Sequence, residues 1–290
     1  MVTNIGSLYA NDDITPDKSL ENFILNLHIR ILGHGMRTVA DLSVLNDFMT
    51  PYFLLVYYVQ GSTRIKHGEN SFDIKPGTMF IFKPYELYSG TRLSQEDLVY
   101  KFIYFDISPI SSRSIFDRQL SFTENQFNTN PWYEKIGSTL NLISQINANN
   151  DEQGHTFLLQ YSVRGIVAFI MYERMQETHN AKNLLPKKET TLVDQSFAYL
   201  ARHMAEPINI TKLSRSLGTS RSNLDRIFMD IMQTTPIKAM TRYKIQESLE
   251  LLRNGATIKK VPKELGYSSP FHFSKTFKSV LGKSPNKYLK

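Results

Sequence analysis

Cysteine is absent from the 290 residues of this chain. Without a thiol, the chain can form no disulfide, no thiolate-bound zinc site, no cysteine nucleophile and no thiol redox sensor. Long apolar runs are also missing, because none approaches the ~20 residues that a membrane-spanning helix needs. The N-terminal residues contain neither a basic leader nor an apolar export segment. These absences predict a cytoplasmic protein that has no membrane partner.

Charge is distributed unevenly along the chain. From residue 187 to the end, 19 Lys and Arg stand against 8 Asp and Glu, whereas the preceding residues hold 15 against 19. A basic segment joined to a slightly acidic one is typical of a nucleic-acid-binding domain attached to a second domain. A solvated basic surface would give the same count, so charge alone leaves both interpretations open.

One pattern of residues occurs twice in the basic part. The two copies superpose with an offset of 48 residues up to a glycine and 49 residues beyond it. Each copy has apolar residues at helical spacing, a Gly that can end a helix in a left-handed conformation, and then a second helix. The sequence therefore predicts two helix-turn-helix units. The copies contain Ile210, Leu213, Leu217, Gly218, Leu224, Arg226, Phe228, Thr235 and Pro236, and Ile258, Val261, Leu265, Gly266, Phe273, Lys275, Phe277, Ser284 and Pro285.

The second helix of each copy has a recognisable start. Ser220 and Ser269 stand at N-cap positions, and Pro270 stands at the first helical position, where its missing N–H costs nothing. The outward faces carry side chains that can contact base edges or phosphates. The predicted DNA-binding residues are Arg221, Ser222, Asp225, Arg226, Phe271, Ser274, Lys275 and Lys278. Lysines predicted to contact phosphates are Lys259, Lys260, Lys278 and Lys283.

A dense run of residues in the second copy is more specific than the general pattern. It comprises Gly266-Tyr267-Ser268-Ser269, His272-Phe273-Ser274-Lys275-Thr276-Phe277-Lys278, Gly282 and Ser284-Pro285-Asn286-Lys287-Tyr288. This run resembles the signature of the AraC/XylS transcription regulators. The resemblance implies a sequence-specific activator whose partners are double-stranded DNA and RNA polymerase.

The second copy departs from that family at one position. Where the family usually has Ala, this chain has Pro262, which has no N–H to donate to the Ile258 carbonyl. We therefore expect the first helix of the second unit to be kinked or to start late.

Short β-like segments dominate residues 22–105. They are rich in aromatic and β-branched residues and are separated by turn signals such as Pro76-Gly77. Many short strands at close spacing predict a small barrel or jelly roll. The predicted strands are Phe23–Ile31, Phe53–Val59, Thr63–Lys66, Ser71–Ile74, Thr78–Phe82 and Val99–Phe105. The pieces Gln60-Gly61-Ser62, Lys75-Pro76-Gly77-Thr78 and Lys83-Pro84 are similar to the cupin-like effector domain of sugar-responsive family members.

That second resemblance implies a pocket for a small-molecule effector, and a sugar is one ligand that it allows. It places four residues near the pocket: Gln60, Tyr88, Tyr100 and Phe102. Aromatic rings can stack on a sugar face, but Tyr and Phe inside a barrel serve equally well as core. No His-x-His pair is present, and imidazole at such spacing is what a metal-binding cupin uses. We therefore expect no metal, no cofactor and no enzymatic activity.

The hydrophobic period becomes helical between Trp132 and Glu177. A first helix carries Ile136, Leu140 and Ile143, and a second runs from about Thr156 to Gln176. The second helix is apolar on most sides, so it must be covered by more than one partner. Contact with a second copy of the chain predicts a homodimer, as the family resemblance also implies. The alternative is burial within the monomer.

The predicted fold class is α+β. Residues 1–180 would form a cupin-like β-barrel with a helical dimerisation segment, residues 181–191 a linker, and residues 192–290 an all-α domain with two helix-turn-helix units. Three alternatives remain at this stage. The barrel could serve dimerisation alone, it could be a cupin enzyme fused to a DNA-binding domain, or the helical domain could bind protein and not DNA.

Overall fold

The computed structural model describes residues 23–39, 48–120, 152–178 and 188–288. The predicted helix through Ile136, Leu140 and Ile143 lies outside these residues, as do residues 181–187 of the predicted linker. None of the helices in the described residues combines the length and the apolar character needed to cross a membrane.

Within the described N-terminal residues, seven strands form two antiparallel sheets. One sheet has the order β1-β7-β2-β5 and the other the order β4-β3-β6. The strands are β1 (His28–Val39), β2 (Phe53–Gln60), β3 (Thr63–His67), β4 (Asn70–Ile74), β5 (Met79–Phe82), β6 (Ser89–Arg92) and β7 (Leu98–Ser108). A bridge between Phe48 and Tyr88 adds a further antiparallel contact. The sheets face each other as a compact jelly-roll-like barrel, as the spacing of the short strands predicts.

The side chains of β2 point alternately into two different hydrophobic cores. Leu54 and Val56 point between the sheets, into a cluster rich in aromatic rings. Phe53 and Leu55 point the other way, into a cluster that two helices cover. Successive side chains of a strand lie on opposite faces, so a strand buried on both faces reads as a continuous apolar run. This explains the sequence Phe-Leu-Leu-Val of β2.

Two local predictions in the barrel need correction. Residues 23–25 form a helical turn and β1 begins only at His28, although Phe23–Ile31 was predicted as one strand. Phe23 and Leu27 are buried together against the helices, four residues apart, which is a helical spacing. Strand β6 was not predicted, because its sequence Ser-Gly-Thr-Arg has no apolar alternation and it is held by pairing with β3.

Nine helices lie within the described residues. They are α1 (Ile110–Gln119), α2 (Glu152–Thr178), α3 (Lys188–Arg202), α4 (Ile210–Ser216), α5 (Arg221–Met232), α6 (Pro236–Arg253), α7 (Val261–Glu264), α8 (Pro270–Leu281) and α9 (Pro285–Tyr288). Helix α1 was not predicted. Helix α3 begins at Lys188, so the last four residues of the predicted linker 181–191 are helical.

The C-terminal helices enclose two separate apolar cores. The first surrounds Leu224 and Phe228 of α5 and includes residues of α3 and α4. The second surrounds Phe273 and Phe277 of α8 and includes residues of α7. Helix α6 contributes to both, with Met240 in the first core and other apolar residues in the second. It therefore connects two small units that are each stabilised by their own core.

Candidate nucleic-acid interface

The first helix-turn-helix unit consists of α4, a tight turn and α5. The Asn209 side chain accepts a hydrogen bond from the backbone N–H of Lys212 at 2.9 Å, and Ser220 accepts one from Asn223 at 3.1 Å. Such caps satisfy backbone donors that have no partner within the helix. Gly218 has φ +63, the left-handed conformation expected of the residue that ends α4.

The outward face of α5 carries the four predicted contact residues of the first unit. Arg221, Ser222 and Arg226 are exposed, and Asp225 is half-buried. The Arg226 guanidinium donates to Asp230 at 2.9 Å and to Asn223 at 3.1 Å, both on the same helix.

Arg221 and Asp225 make a second, looser ion pair on this helix, with a closest N–O distance of 3.8 Å. Two Arg and two Asp therefore give α5 no net charge. Both arginines therefore pair with aspartates of the same helix and remain exposed to solvent.

The second unit consists of α7, a tight turn and α8, and its first helix starts late. Helix α7 spans only Val261–Glu264, with Pro262 in its first turn. A proline is tolerated in the first turn of a helix, but it has no N–H to donate to the Ile258 carbonyl. The helix therefore does not extend back to Ile258. The expected late start is therefore confirmed. The turn that follows uses Gly266, with φ +66.

The outward face of α8 carries the predicted contact residues of the second unit. Phe271 is 79% exposed. Lys275 and Lys278 are also exposed, and Ser274 is half-buried. Helix α8 contains no Asp or Glu. Neither lysine takes part in an ion pair among the described residues. This face therefore keeps its full positive charge.

Helix α6 separates the two units. It begins with Thr235 as N-cap and Pro236 at the first position, and it has 18 residues. At 1.5 Å per residue its length is roughly 27 Å. The helix therefore joins two separately packed units, with α5 in one core and α8 in the other.

Two family models match the chain, one in each half. Residues 47–137 match the AraC-like ligand binding domain, and residues 213–290 match a helix-turn-helix domain. The chain belongs to the AraC family. It is a DNA-binding transcription regulator with a ligand-binding domain, and the family assignment made from the sequence is confirmed.

Two proteins similar to this AraC-family chain match it over different lengths. An uncharacterized HTH-type transcriptional regulator of Bacillus subtilis, YisR, is 23% identical over 266 residues, which are 89% of this chain and 92% of YisR. The raffinose operon transcriptional regulatory protein RafR of Pediococcus pentosaceus is 29% identical over 104 residues, 36% of this chain and 38% of RafR.

A solved structure confirms the α+β fold of the AraC-family chain. The crystal structure of ToxT from Vibrio cholerae matches with a TM-score of 0.55 and 15% identity, over 91% of this chain and 97% of ToxT. The cupin-like N-terminal domain and the helical C-terminal domain therefore occur together in a known architecture.

In this AraC-family chain a polar network joins the barrel to α6, which the sequence did not predict. Arg113 of α1 is buried and donates to Gln246 of α6 at 2.8 Å and to the Pro51 carbonyl at 2.6 Å. Gln246 in turn donates to Asp106 at 2.6 Å. Buried polar groups are stable when each has a partner. The network therefore stabilises one arrangement of the two domains.

Tyrosines of the barrel extend this contact along α6. The Tyr85 hydroxyl donates to the Arg242 carbonyl at 3.1 Å, and burial raises the pKa of Tyr85 to about 12, so the donor keeps its proton. Tyr85 has φ 62, an uncommon conformation for a residue with a side chain. Tyr52 donates to Glu250 at 2.7 Å. Both tyrosines therefore bind α6, the helix that connects the two helix-turn-helix units.

The barrel interior contains a cavity of about 110 Å³. Tyr88, Tyr100 and Phe102 line it, together with Arg37, whereas Gln60 is exposed and does not. Tyr88 is also a core residue. Its hydroxyl accepts a hydrogen bond from the backbone N–H of Lys83 at 3.0 Å.

A larger cavity, of about 390 Å³, lies between the barrel and the helical domain. It is lined by side chains of both domains, with more cationic than acidic groups. The charged lining residues are Lys83, Arg113, Lys238, Arg242, Glu86 and Asp117. The family resemblance in the sequence did not indicate these residues, because they come from three separate segments of the chain.

Proposed function

We propose that this regulator activates transcription by placing α5 and α8 in adjacent major grooves of one duplex. It would act in the cytoplasm, as a homodimer, and contact RNA polymerase. The observation that supports the DNA-binding geometry best is the pair of exposed helix faces at the two ends of α6. Arginine, lysine, serine and aromatic side chains on these faces are the types that contact phosphates and base edges.

Individual roles follow from side-chain chemistry. Arg226 can bond guanine through two hydrogen bonds, and Lys275 stands at the equivalent position of the second unit. Asp225 can accept from cytosine, and Phe271 can contact a thymine methyl group. Arg221, Ser222 and Ser274 would assist with bases or the backbone. The remaining basic side chains would contact phosphates: Lys259, Lys260, Lys278 and Lys283.

Selection of bound fragments from random DNA by the full chain, at a fixed salt concentration, tests this geometry. We expect two conserved segments whose centres are about one helical turn, 10–10.5 base pairs, apart. The affinity should fall steeply with salt, because phosphate contacts release counterions. Recovery of a single segment, or of no preferred sequence, would contradict the proposal.

For the effector, the interdomain cavity fits better than the barrel interior. Ligand pockets usually have volumes of about 300–1,000 Å³. The interdomain cavity, about 390 Å³, falls in this range, and the barrel cavity, about 110 Å³, does not. Four cationic and two acidic side chains line it, and this net positive lining favours an anionic ligand over a neutral sugar. ToxT has been crystallised with an unsaturated fatty acid, a ligand with such a charge.

Thermal melting of the full chain with oleate and with arabinose shows which of the two cavities binds the effector. Stabilisation by oleate that is lost in Arg242→Ala would place the effector between the domains. Stabilisation by arabinose that is lost in Tyr100→Ala would place it in the barrel. No shift with any compound of a wider panel would favour a barrel that only dimerises.

The proposed dimer contact is the outer face of α2. Phe157 and Tyr161 are 56% and 57% exposed, and their rings lie 4.4 Å apart. The opposite face of α2, with Val163 and Ile166, is buried in the barrel-side core. Exposed aromatic patches often mark protein interfaces. Sedimentation velocity should show a dimer that Tyr161→Glu dissociates. A monomeric wild type would contradict this contact.

A further inference from the structure

A buried lysine lies at the centre of the DNA-binding domain. Lys244 is in the middle of α6, and it is 2% exposed. Its ammonium group donates three hydrogen bonds to backbone carbonyls: Met204 at 2.9 Å, Glu206 at 2.6 Å and Leu265 at 2.8 Å. An ammonium group has three donors and no acceptor, so these carbonyls use its whole bonding capacity.

The three carbonyls belong to different units. Met204 and Glu206 lie in the segment that connects α3 to α4 of the first unit, and the Met204 side chain packs against the second core. Leu265 ends α7 in the second unit. Since Lys244 itself is on α6, one side chain holds the first unit, the second unit and the rod between them.

The glycine after Leu265 shows how closely these segments approach. A Cβ added at Gly266 would lie 2.6 Å from the Ala205 carbonyl oxygen. The turn of the second unit therefore lies directly on the supporting segment of the first. The equivalent Gly218 has nothing within 4 Å of such a Cβ. Of the two turn glycines, only Gly266 therefore lies so close to the other unit.

If this position served packing alone, an apolar side chain would cost less free energy to bury than a lysine. Burying an ammonium group costs free energy unless it is fully hydrogen-bonded. The nearest acidic side chain, Glu206, turns outward to Lys212 and His203, each at 2.8 Å. The charge of Lys244 is therefore satisfied by backbone carbonyl groups and not by a carboxylate.

We propose that Lys244 is a positioning residue that fixes the distance and angle between α5 and α8, and thereby the spacing of DNA segments that the chain recognises. It touches no DNA itself. This inference rests on the proposed function, in which both units bind one duplex. Without Lys244 each unit keeps its own core, but the two would no longer share one orientation.

The test uses duplexes selected by the wild-type chain from random DNA, and the same duplexes lengthened by one to five base pairs between the two segments. Five base pairs is about half a helical turn. For the wild type, we expect affinity to fall at least about tenfold on the longest insertion, because one unit loses its base contacts. For Lys244→Met, we expect that penalty to shrink severalfold.

Controls separate positioning from general damage. Lys263→Met removes an exposed lysine of α7 to which no DNA or effector contact is assigned, and it should keep the wild-type penalty. Binding to duplexes with a single segment should be the same for Lys244→Met and wild type. If Lys244→Met keeps the full spacing penalty, or loses single-segment binding as well, the inference is wrong.

Two further outcomes are informative. If Lys244→Met does not melt cooperatively, Lys244→Arg retains a charged donor of different shape. It should then shift the preferred spacing, and an unchanged preference would overturn the inference. If the wild type shows no spacing penalty, the two-groove binding under the proposed function fails, and the inference fails with it.

Discussion

The two helix-turn-helix units share one pattern but differ in charge and in the length of their first helix. In the first unit α4 has 7 residues, and α5 balances its arginines with aspartates. In the second unit α7 has 4 residues, and α8 carries lysines without any acid. The same backbone motif thus presents a neutral face at one end of α6 and a positive face at the other.

This difference suggests a division of labour on DNA. An unneutralised lysine attracts phosphates at long range, and this attraction is independent of sequence. An arginine held by Asp230 and Asn223 has a defined position, and it must exchange those partners for a base edge. The second unit would therefore contribute more affinity and the first unit more discrimination.

Removing a core ring from one unit should have the largest effect. Phe277 is fully buried in the second core, and Phe→Ala changes in cores cost about 3–5 kcal/mol. Chemical denaturation of Phe277→Ala should show a loss of this size. Phe271→Ala in the same helix is the control, because the Phe271 ring is exposed. Equal losses for both would mean that α8 is packed differently.

The two turn glycines should respond unequally to the same substitution. Gly218→Ala introduces a side chain at positive φ, which costs about 1–2 kcal/mol. Gly266→Ala adds an overlap with the Ala205 carbonyl, and overpacking costs about 1–3 kcal/mol more. Denaturation midpoints of the two variants measure the difference. Equal destabilisation would show that the second turn does not press on the first unit.

Substitutions in the first unit should reduce base discrimination more than substitutions in the second. Arg226→Ala should cost about 1–3 kcal/mol on the selected site and relax the preference at one base pair. Lys275→Ala is the matched change in the second unit and should weaken binding with less loss of preference. Competition binding against single-base variants distinguishes them. A uniform loss on all sequences for Arg226→Ala would make Arg226 a phosphate contact.

Lys244, which contacts both units, should make the stability of the chain modestly dependent on pH. Burial lowers the pKa of Lys244 from 10.5 to about 8, and the nearby Glu206 opposes this only in part. Between these two values the unfolded chain binds more protons, so wild-type stability rises with pH relative to Lys244→Met. The expected gain between pH 8 and 9 is about 1 kcal/mol. A difference that is constant with pH would contradict the lowered pKa.

The C-terminal domain was largely predictable because its signals are local. Capping at Ser220 and Ser269 and the late start at Pro262 depend on residues within one or two helical turns. The buried pair Phe273 and Phe277 follows from helical spacing. Each of these features appears in the structure as expected.

The N-terminal domain was predictable in kind but less so in detail. Strands β2, β3, β4 and β5 lie within a residue or two of their predicted limits. Helix α1 and strand β6 were missed, because their sequences carry no clear apolar period and partner strands or helices hold them in place. Gln60, expected near the effector, lies on the outside.

By itself the sequence determined the number and type of the DNA-reading units, because helix caps, turn glycines and apolar periods act over a few residues. Tertiary structure alone decided which distant groups meet. Arg113 reaches Gln246, and Lys244 reaches the carbonyl of Leu265, across long stretches of chain. No local pattern encodes such contacts, because a buried charge finds its partners only after the cores have packed around it.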